Sequence, residues 1–511
     1  MKNQRSSGIL LPITALPNNF GIGDFGHSAY EFCHFLKEAG QRYWEILPIN
    51  SLFGRSGITA HTPYGATSCF AGNILLISPQ YLLLDGDLDH LPPTEFDPHK
   101  HHERIADYQE LYHYKWAMLK KAYEYSGKKI IESENFKNFC KQNDYWLERY
   151  SYFELLSKKA GTEDQPECDF RKWKDSWRRA DSQDVLELAR THHEEINCIK
   201  FAQFIFFKQW YALKTYANNQ GIQIIGDLPI YSNSKSADLW SFKKFFKLDS
   251  HDLPTHTGGT PPDVFSPVGQ NWKAPVYDWE YAKNHQYEWH RKRVKHQLEM
   301  FDVLRLDHFQ GYITYWEIPA DKTAKEGCWK EVPSEELFDS FHKDTPRFKV
   351  VVEDLGAMTL KAKEIMKKYQ LAGMNVLEYA FHENNSSYQP HHHLRNSVCF
   401  IGTHDNTTAQ GLYHSAGKDY LKRLSHYVGH PIHQENFHWE MIRLCLSSPA
   451  FLSIVQAQDL LGLDDTYRTN NPLSYINSIN KDRNWTFRIR QLKDLNHQAK
   501  RLQELCLLYG R

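Results

Sequence analysis

The sequence predicts an α/β protein built on a (β/α)8 TIM barrel, with a large helical insertion after strand 2 and a loop-rich insertion after strand 3. Three observations predict it. Eight short runs are apolar on both faces rather than alternating, as the strands of a helix-covered parallel sheet must be. Helical patterns fall between most of these runs. Several of the runs end in carboxylates, and the C-terminal strand ends are where a barrel of this kind carries its chemistry.

In chain order the runs are Gly8–Ile13, Tyr43–Ile49, Ile222–Ile230, Val303–Phe309, Lys349–Leu355, Asn375–Phe381, Ser397–Asp405 and Leu452–Leu460. Helical periodicity marks Ser28–Ala39, Glu280–Phe301, Leu360–Tyr369 and Arg488–Leu508. Residues 1–50 hold strands 1 and 2. Residues 51–200 read as a mainly helical insertion subdomain, with aromatic-rich helices at Tyr108–Tyr125 and Phe136–Ser157. The apolar helix Ile199–Tyr216 closes this gap and is expected to pack on the barrel. Residues 201–511 complete the barrel. Within them, 231–278 is rich in Gly, Pro, Ser and Asp and reads as a loop insertion placed to cover a bound substrate.

The composition narrows the function. The chain has 511 residues with 61 Lys+Arg against 62 Asp+Glu, a formal charge of -1. That balance argues against nucleic acid or an anionic membrane surface as the main partner. No run of apolar residues is long enough for a transmembrane helix. The N-terminus lacks the apolar core and cleavage site of a secretory signal. Nine cysteines at irregular spacing with no CxxC pair suit reduced thiols and a cytoplasmic location. Aromatic residues make up 14%, which hints at a ligand with flat apolar faces.

The strand ends carry the chemistry. Strand 3 ends near Asp227, strand 4 at Arg305, Asp307 and His308, strand 5 at Glu353 and Asp354, and strand 7 at His404 and Asp405. A pocket of carboxylates without lysine suits cleavage of an acetal: one carboxylate attacks the anomeric carbon and another carboxyl protonates the leaving oxygen. Crowded like charges raise one pKa, which keeps a general acid protonated near neutral pH. Arg305, two residues before Asp307 on one strand, is expected to hold Asp307 ionised.

The chain carries, in order, GIGDFG (21–26), EAGQRYWEILPI (38–49), PYGATSCFAGN (63–73), GDLPIY (226–231), SADLW (236–240), PPDVFSPVGQNW (261–272), PVYDW (275–279), RLDHFQGY (305–312), YWEIPA (315–320), EDLG (353–356), GMNVLEYAF (373–381), GTHDNTT (402–408) and QDLLGL (458–463). On these segments it resembles the 4-α-glucanotransferases of the amylomaltase or disproportionating-enzyme type, in the α-amylase superfamily. The resemblance implies Asp307 as the nucleophile, Glu353 as the general acid/base and Asp405 as a third carboxylate that binds sugar hydroxyls. It further implies substrate contacts from Asp227, Arg305, His308 and His404, an aromatic platform at Tyr64, a flap carrying Gln270 and Trp272, and a late contact at Asn470. The implied reaction moves a segment of an α-1,4-glucan or malto-oligosaccharide to the 4-hydroxyl of glucose or another glucan, with retention and without cofactor or metal. The pattern departs from the family at Gln310, at the lead-in HTPYG, and in RTNNPLS, which lacks the usual Gly after Pro472.

Four other readings are weaker. A retaining α-glucan hydrolase uses the same carboxylates and differs only in its acceptor. GIGDFG fits G-x-G-x-x-G, but seven residues separate it from the first strand, so a glycine-rich turn explains it better than a dinucleotide site. A divalent-metal barrel wants a lysine or histidine base at the mouth; no lysine stands there, although His308 and His404 do. A non-catalytic glucan-binding module needs aromatics but not three carboxylates. The clusters HKHH (99–102) and HHH (391–393) read as solvated loops, and the charges of Glu280–Glu299 as a solvated helix face.

Overall fold

A computed structural model describes residues 4–52, 62–93, 104–162, 165–262, 266–356, 358–472 and 483–511. The HKHH cluster and residues 473–482 lie outside the described residues.

Twelve strands form two sheets among the described residues. In chain order they are β1 (Ser6–Leu10), β2 (Tyr43–Glu45), β3 (Gln223–Leu228), β4 (His256–Thr260), β5 (Gln270–Pro275), β6 (Val303–Leu306), β7 (Thr314–Pro319), β8 (Cys328–Glu331), β9 (Val350–Val352), β10 (Gly373–Val376), β11 (Ser397–Phe400) and β12 (Leu452–Gln456). The main sheet is parallel in the order β10-β11-β12-β1-β2-β3-β6-β9. The Val352 N–H donates to the Ala372 carbonyl at 2.9 Å, and Val351 bridges Ala372, so β9 meets the start of β10 and the barrel closes. Its interior is packed with Leu10, Ile225, Val303, Val351, Met374, Val398, Phe400 and Ile454. It is a core and not a pore.

Each of the eight barrel strands overlaps one of the eight apolar runs, but the ladders are shorter. The first run ends at Leu10 because Pro12 has no N–H to donate and the chain turns into a short 3-10 helix, Ile13–Ala15. At this same C-terminal end of the barrel, the residues after β6 and β9 leave the ladder and bind neighbouring loops. The Glu353 N–H donates to the Leu306 carbonyl at 3.0 Å, and the Phe309 N–H donates to the Glu353 carbonyl at 3.0 Å. These loops line the mouth.

The gap between β2 and β3 is helical as expected. The expected helix Phe136–Ser157 is two, Glu134–Gln142 and Leu147–Ala160. The closing helix, His193–Asn219, packs on the barrel against β3 and is tied to the segment after β2 by two side-chain amides that imitate strand pairing. Gln203 exchanges hydrogen bonds with the Gly72 backbone at 2.7 and 3.1 Å. Gln209 does the same with Ser78 at 2.7 and 3.2 Å. Gly72 has to be glycine, since a Cβ there would sit 2.1 Å from the Phe206 ring.

The loop-rich insertion also holds two strands that the sequence reading did not anticipate. β4 and β5 join β7 and β8 in an antiparallel sheet of order β5-β4-β7-β8. β4 (HTGGT) and β5 (QNWKAP) are glycine-rich or polar, so neither propensity nor periodicity marks them. The expected helix Glu280–Phe301 is broken into Trp279–Asn284 and Glu288–Met300, with Gln286 and Tyr287 at φ of 52° and 55° between them. Its charged face is not simply solvated. Arg293 is buried and donates to the Ile230 carbonyl at 2.9 Å and the Tyr277 hydroxyl at 3.0 Å, bracing the loop that follows β3.

One buried ion pair ties the insertion to the barrel. Lys115, on helix Tyr108–Ala122, lies 3.5 Å from Asp24 in the first loop and donates to the Ile77 carbonyl at 2.5 Å. Removing one partner of such a pair strands the other without water. Lys115→Ala is expected to lower the unfolding free energy by about 3–5 kcal/mol in urea titration, and adding Asp24→Asn should recover much of that loss.

Candidate active site

The site is assembled around one guanidinium. Arg305 stands on β6, directly opposite Asp227 on β3 in the parallel register. Both are buried. Arg305 Nη1 donates to both Asp227 oxygens at 2.7 Å and reaches Asp307 Oδ1 at 3.3 Å. Its Nη2 donates to Glu353 Oε2 at 2.8 Å. Three strands, β3, β6 and β9, thus deliver carboxylates to one cation.

Backbone strain completes the contact to Glu353. His308 has φ 47°, a left-handed conformation that costs a non-glycine residue about 1–3 kcal/mol. This turn aims the His308 N–H at Glu353 Oε2, 2.9 Å away. Gly311 makes room for it, since a Cβ there would sit 2.9 Å from the His308 ring and 2.3 Å from Ile230.

Asp307 and Glu353 lie within hydrogen-bond reach of each other and titrate together. Burial and the neighbouring Glu353 charge push the Asp307 carboxyl well up. Burial would raise Glu353 too, but Arg305 and the His308 N–H outweigh it and hold Glu353 below the usual carboxylate range. Arg305 draws the Asp307 carboxyl down, as the sequence suggests, but burial and the Glu353 charge outweigh it. The guanidinium makes its short contacts to Asp227 and Glu353 and a longer one to Asp307.

The opposite wall comes from the loops after β2, β11 and β12. The Tyr64 hydroxyl donates to Asp227 Oδ2 at 2.5 Å and lies 2.8 Å from His404 Nε2, with the two rings stacked at 5.5 Å. His404 Nε2 lies 3.5 Å from Asp405 Oδ1, and Asn470 Nδ2 donates to the same oxygen at 2.5 Å. Asp405 is 42% exposed and open to the mouth, unlike Asp227. Over the rim, Trp272 packs edge-on against His308 at 4.9 Å, and its indole N–H donates to Gln270 at 3.2 Å. One continuous network therefore runs from Asp405 through His404, Tyr64, Asp227 and Arg305 to Asp307 and Glu353, with Asn470, His308, Trp272 and Gln270 attached to it.

Comparison with known proteins agrees with this geometry. The family profile described as 4-alpha-glucanotransferase matches residues 11–494. A 4-alpha-glucanotransferase of Aquifex aeolicus is 36% identical over 513 residues, covering 99% of this chain and 99% of its own. The chain belongs to the 4-alpha-glucanotransferase family. Another member, from Thermus thermophilus, is 35% identical over 482 residues and covers 92% of this chain and 93% of its own. The solved amylomaltase from Streptococcus agalactiae, in complex with acarbose, superposes with a TM-score of 0.90 at 31% identity, over 99% of this chain and 100% of that one. The amylomaltase from Corynebacterium glutamicum, at 15% identity and a TM-score of 0.78 over 99% of this chain and 75% of that one, shares the fold. As a family member, the chain is a hexosyltransferase.

Some neighbours of this glucanotransferase site escaped the sequence reading. Asp354 is a strand-end carboxylate, but it turns away and accepts the Met374 N–H at 2.6 Å, a backbone role. Trp485 packs against Tyr64 and His404 at 5.8 and 5.9 Å, and no local pattern marks it. Gln310, where the family usually has a basic residue, donates to Thr314 at 2.5 Å and accepts the Thr359 N–H at 3.3 Å, joining the loops after β6 and β9. His391 and His392 are exposed as expected, but His393 is buried between Ser448 and the Tyr388 carbonyl, 2.8 Å from each.

Glu45 is the most consequential of the missed residues. It lies on β2 beside Ile225 of β3, two residues below Asp227, and is buried. Its sign was a lone carboxylate inside the apolar run YWEILPI. Burial, opposed by Arg305 and assisted by Asp227, pushes its carboxyl from 4.5 up to about 8. Between those values the folded protein keeps a proton that the unfolded chain releases, so stability falls as the pH rises from 4.5 to about 8 and then levels. Glu45→Gln removes this loss. The variant is expected to gain on the order of a few kcal/mol over the parent between pH 5 and 8, read from urea unfolding at each pH; parallel curves would contradict it.

Proposed function

We propose that this chain moves a segment of an α-1,4-glucan or malto-oligosaccharide to the 4-hydroxyl of glucose or another α-1,4-glucan, by a retaining double displacement. The observation that carries the reading is Arg305 holding Asp307 and Glu353 at one point of the barrel mouth. Two carboxyls that close leave no room for an attacking water between carboxylate and sugar, which favours a covalent intermediate and retention. The relative solved in complex with acarbose supports the choice of ligand class.

Asp307 is the nucleophile, Glu353 the general acid/base and Asp405 the carboxylate that grips hydroxyls of the distorted ring. A sugar seated between Asp307 and Glu353 parts them and ends their shared hydrogen bond. The developing positive charge at the anomeric carbon then favours an ionised Asp307, and the proton passes to Glu353. Asp307 bonds to the anomeric carbon as the glycosidic bond breaks, and Glu353 gives its proton to the departing 4-oxygen. Glu353, now ionised, takes the proton of an acceptor 4-hydroxyl. That oxygen attacks the anomeric carbon and frees Asp307. Asp227, Arg305, Tyr64, His308 and His404 shape the pocket for the reacting sugar, and Asn470 steadies Asp405. Trp272 and Gln270 cover the rim, and an acceptor held there outcompetes water through effective molarity. A reducing cytoplasm suits nine cysteines at irregular spacing with no CxxC pair. Among the described residues no helix is long and apolar enough to cross a membrane.

Incubation with maltotriose tests the reaction. The expected products are glucose and a ladder of longer malto-oligosaccharides, whereas glucose and maltose alone would mean hydrolysis. Asp307→Asn is expected to lower turnover by about 10³-fold or more, and wild-type turnover would remove Asp307 from its role.

A further inference from the structure

Asp405 differs from the other mouth carboxylates. Asp227 is fixed by two strands and a guanidinium, whereas Asp405 sits in the loop after β11, five residues past the last ladder residue. The neighbouring turn is held from outside: Asp465 accepts the Thr407 hydroxyl at 2.6 Å and the Thr408 N–H at 3.3 Å, and Asp459 accepts the Ala409 N–H at 2.7 Å. None of these touches Asp405 itself.

The Asp405 carbonyl is held by a side chain from the next loop. Arg468, in the loop after β12, is 18% exposed and spreads its guanidinium over two carbonyls. Its Nε donates to the Asn470 carbonyl at 2.6 Å and its Nη2 to the Asp405 carbonyl. Asn470 in turn donates through Nδ2 to Asp405 Oδ1 at 2.5 Å, and its N–H donates to the His404 carbonyl at 3.0 Å. The guanidinium thus fixes the backbone of both partners of the Asn470–Asp405 hydrogen bond, joining two loops on neighbouring strands.

We propose that Arg468 is a positioning residue for Asp405, whose planar fork keeps the loops after β11 and β12 in the register that presents the Asp405 carboxylate to the sugar. The inference rests on the reading of Asp405 given under the proposed function. A lysine keeps the charge but donates from a point, so it cannot span both carbonyls in one fixed geometry. Misplacement of a group that works in the transition state by about 1 Å costs about 10²-fold in rate.

The test is steady-state transfer on maltotriose with Arg468→Lys, Arg468→Gln, Asp405→Asn and the double variant Arg468→Lys/Asp405→Asn, each shown folded by its thermal midpoint. Arg468→Lys should lower kcat by about 10- to 100-fold with KM nearly unchanged, because the lost interaction belongs to the transition state. Arg468→Gln should do the same, and it serves if the lysine variant fails to fold. The double variant should be no slower than Asp405→Asn alone, since Arg468 then has nothing left to position. Losses that multiply in the double variant, or an Arg468→Lys turnover equal to the parent's, would overturn the positioning role. Wild-type turnover in Asp405→Asn would instead overturn the Asp405 reading and the inference with it.

Discussion

The mouth of this barrel depends on Arg305. Asp227, Asp307 and Glu353 converge there within hydrogen-bond reach of one cation, and Glu45 lies just below. Two unit charges 4 Å apart interact by about 4 kcal/mol at an effective dielectric of 20. Without the guanidinium, the carboxylates would repel one another and pull water into the core. With it, the repulsion is offset at the point where the substrate's developing positive charge needs negative neighbours.

One positive charge cannot balance four negative ones, so protons make up the difference. Glu45 stays neutral up to about pH 8, while burial and Glu353 push the Asp307 carboxyl up and Arg305 holds Glu353 down. On the roles proposed above, binding of a sugar must do more than fill space: it must part the two carboxyls and reverse this order. The strained turn at His308 matters here, because its N–H sits on Glu353 before substrate arrives and holds that carboxyl in place.

How much of this was legible in the sequence follows from where each residue sits. The eight barrel strands were visible because a parallel strand buried on both faces leaves a continuous apolar run. Asp227, Asp307, Glu353 and Asp405 were visible because a carboxylate at the end of such a run breaks it abruptly. The β4–β5–β7–β8 sheet was hidden, since its strands rely on Gly258 and Gly259, whose bare backbones admit the Tyr231 ring and the Gln270 carbonyl. Arg468 was hidden because one of the two carbonyls it grips, that of Asp405, lies 63 residues away in the chain, which leaves no local pattern. The opposite displacement of the Asp307 and Glu353 carboxyls was hidden too: it depends on burial and on a guanidinium 2.8 Å from Glu353 and 3.3 Å from Asp307, which no spacing in the chain encodes.

The most direct measurement is to trap the covalent intermediate. Glu353→Gln, given an activated donor such as α-maltotriosyl fluoride, forms the first bond without needing an acid but lacks the base for transfer. Intact mass followed by peptide mapping should then show one maltotriosyl unit on the peptide that carries Asp307. A label on another carboxylate, or continued turnover with no label at all, would contradict a nucleophile held at the Arg305 centre.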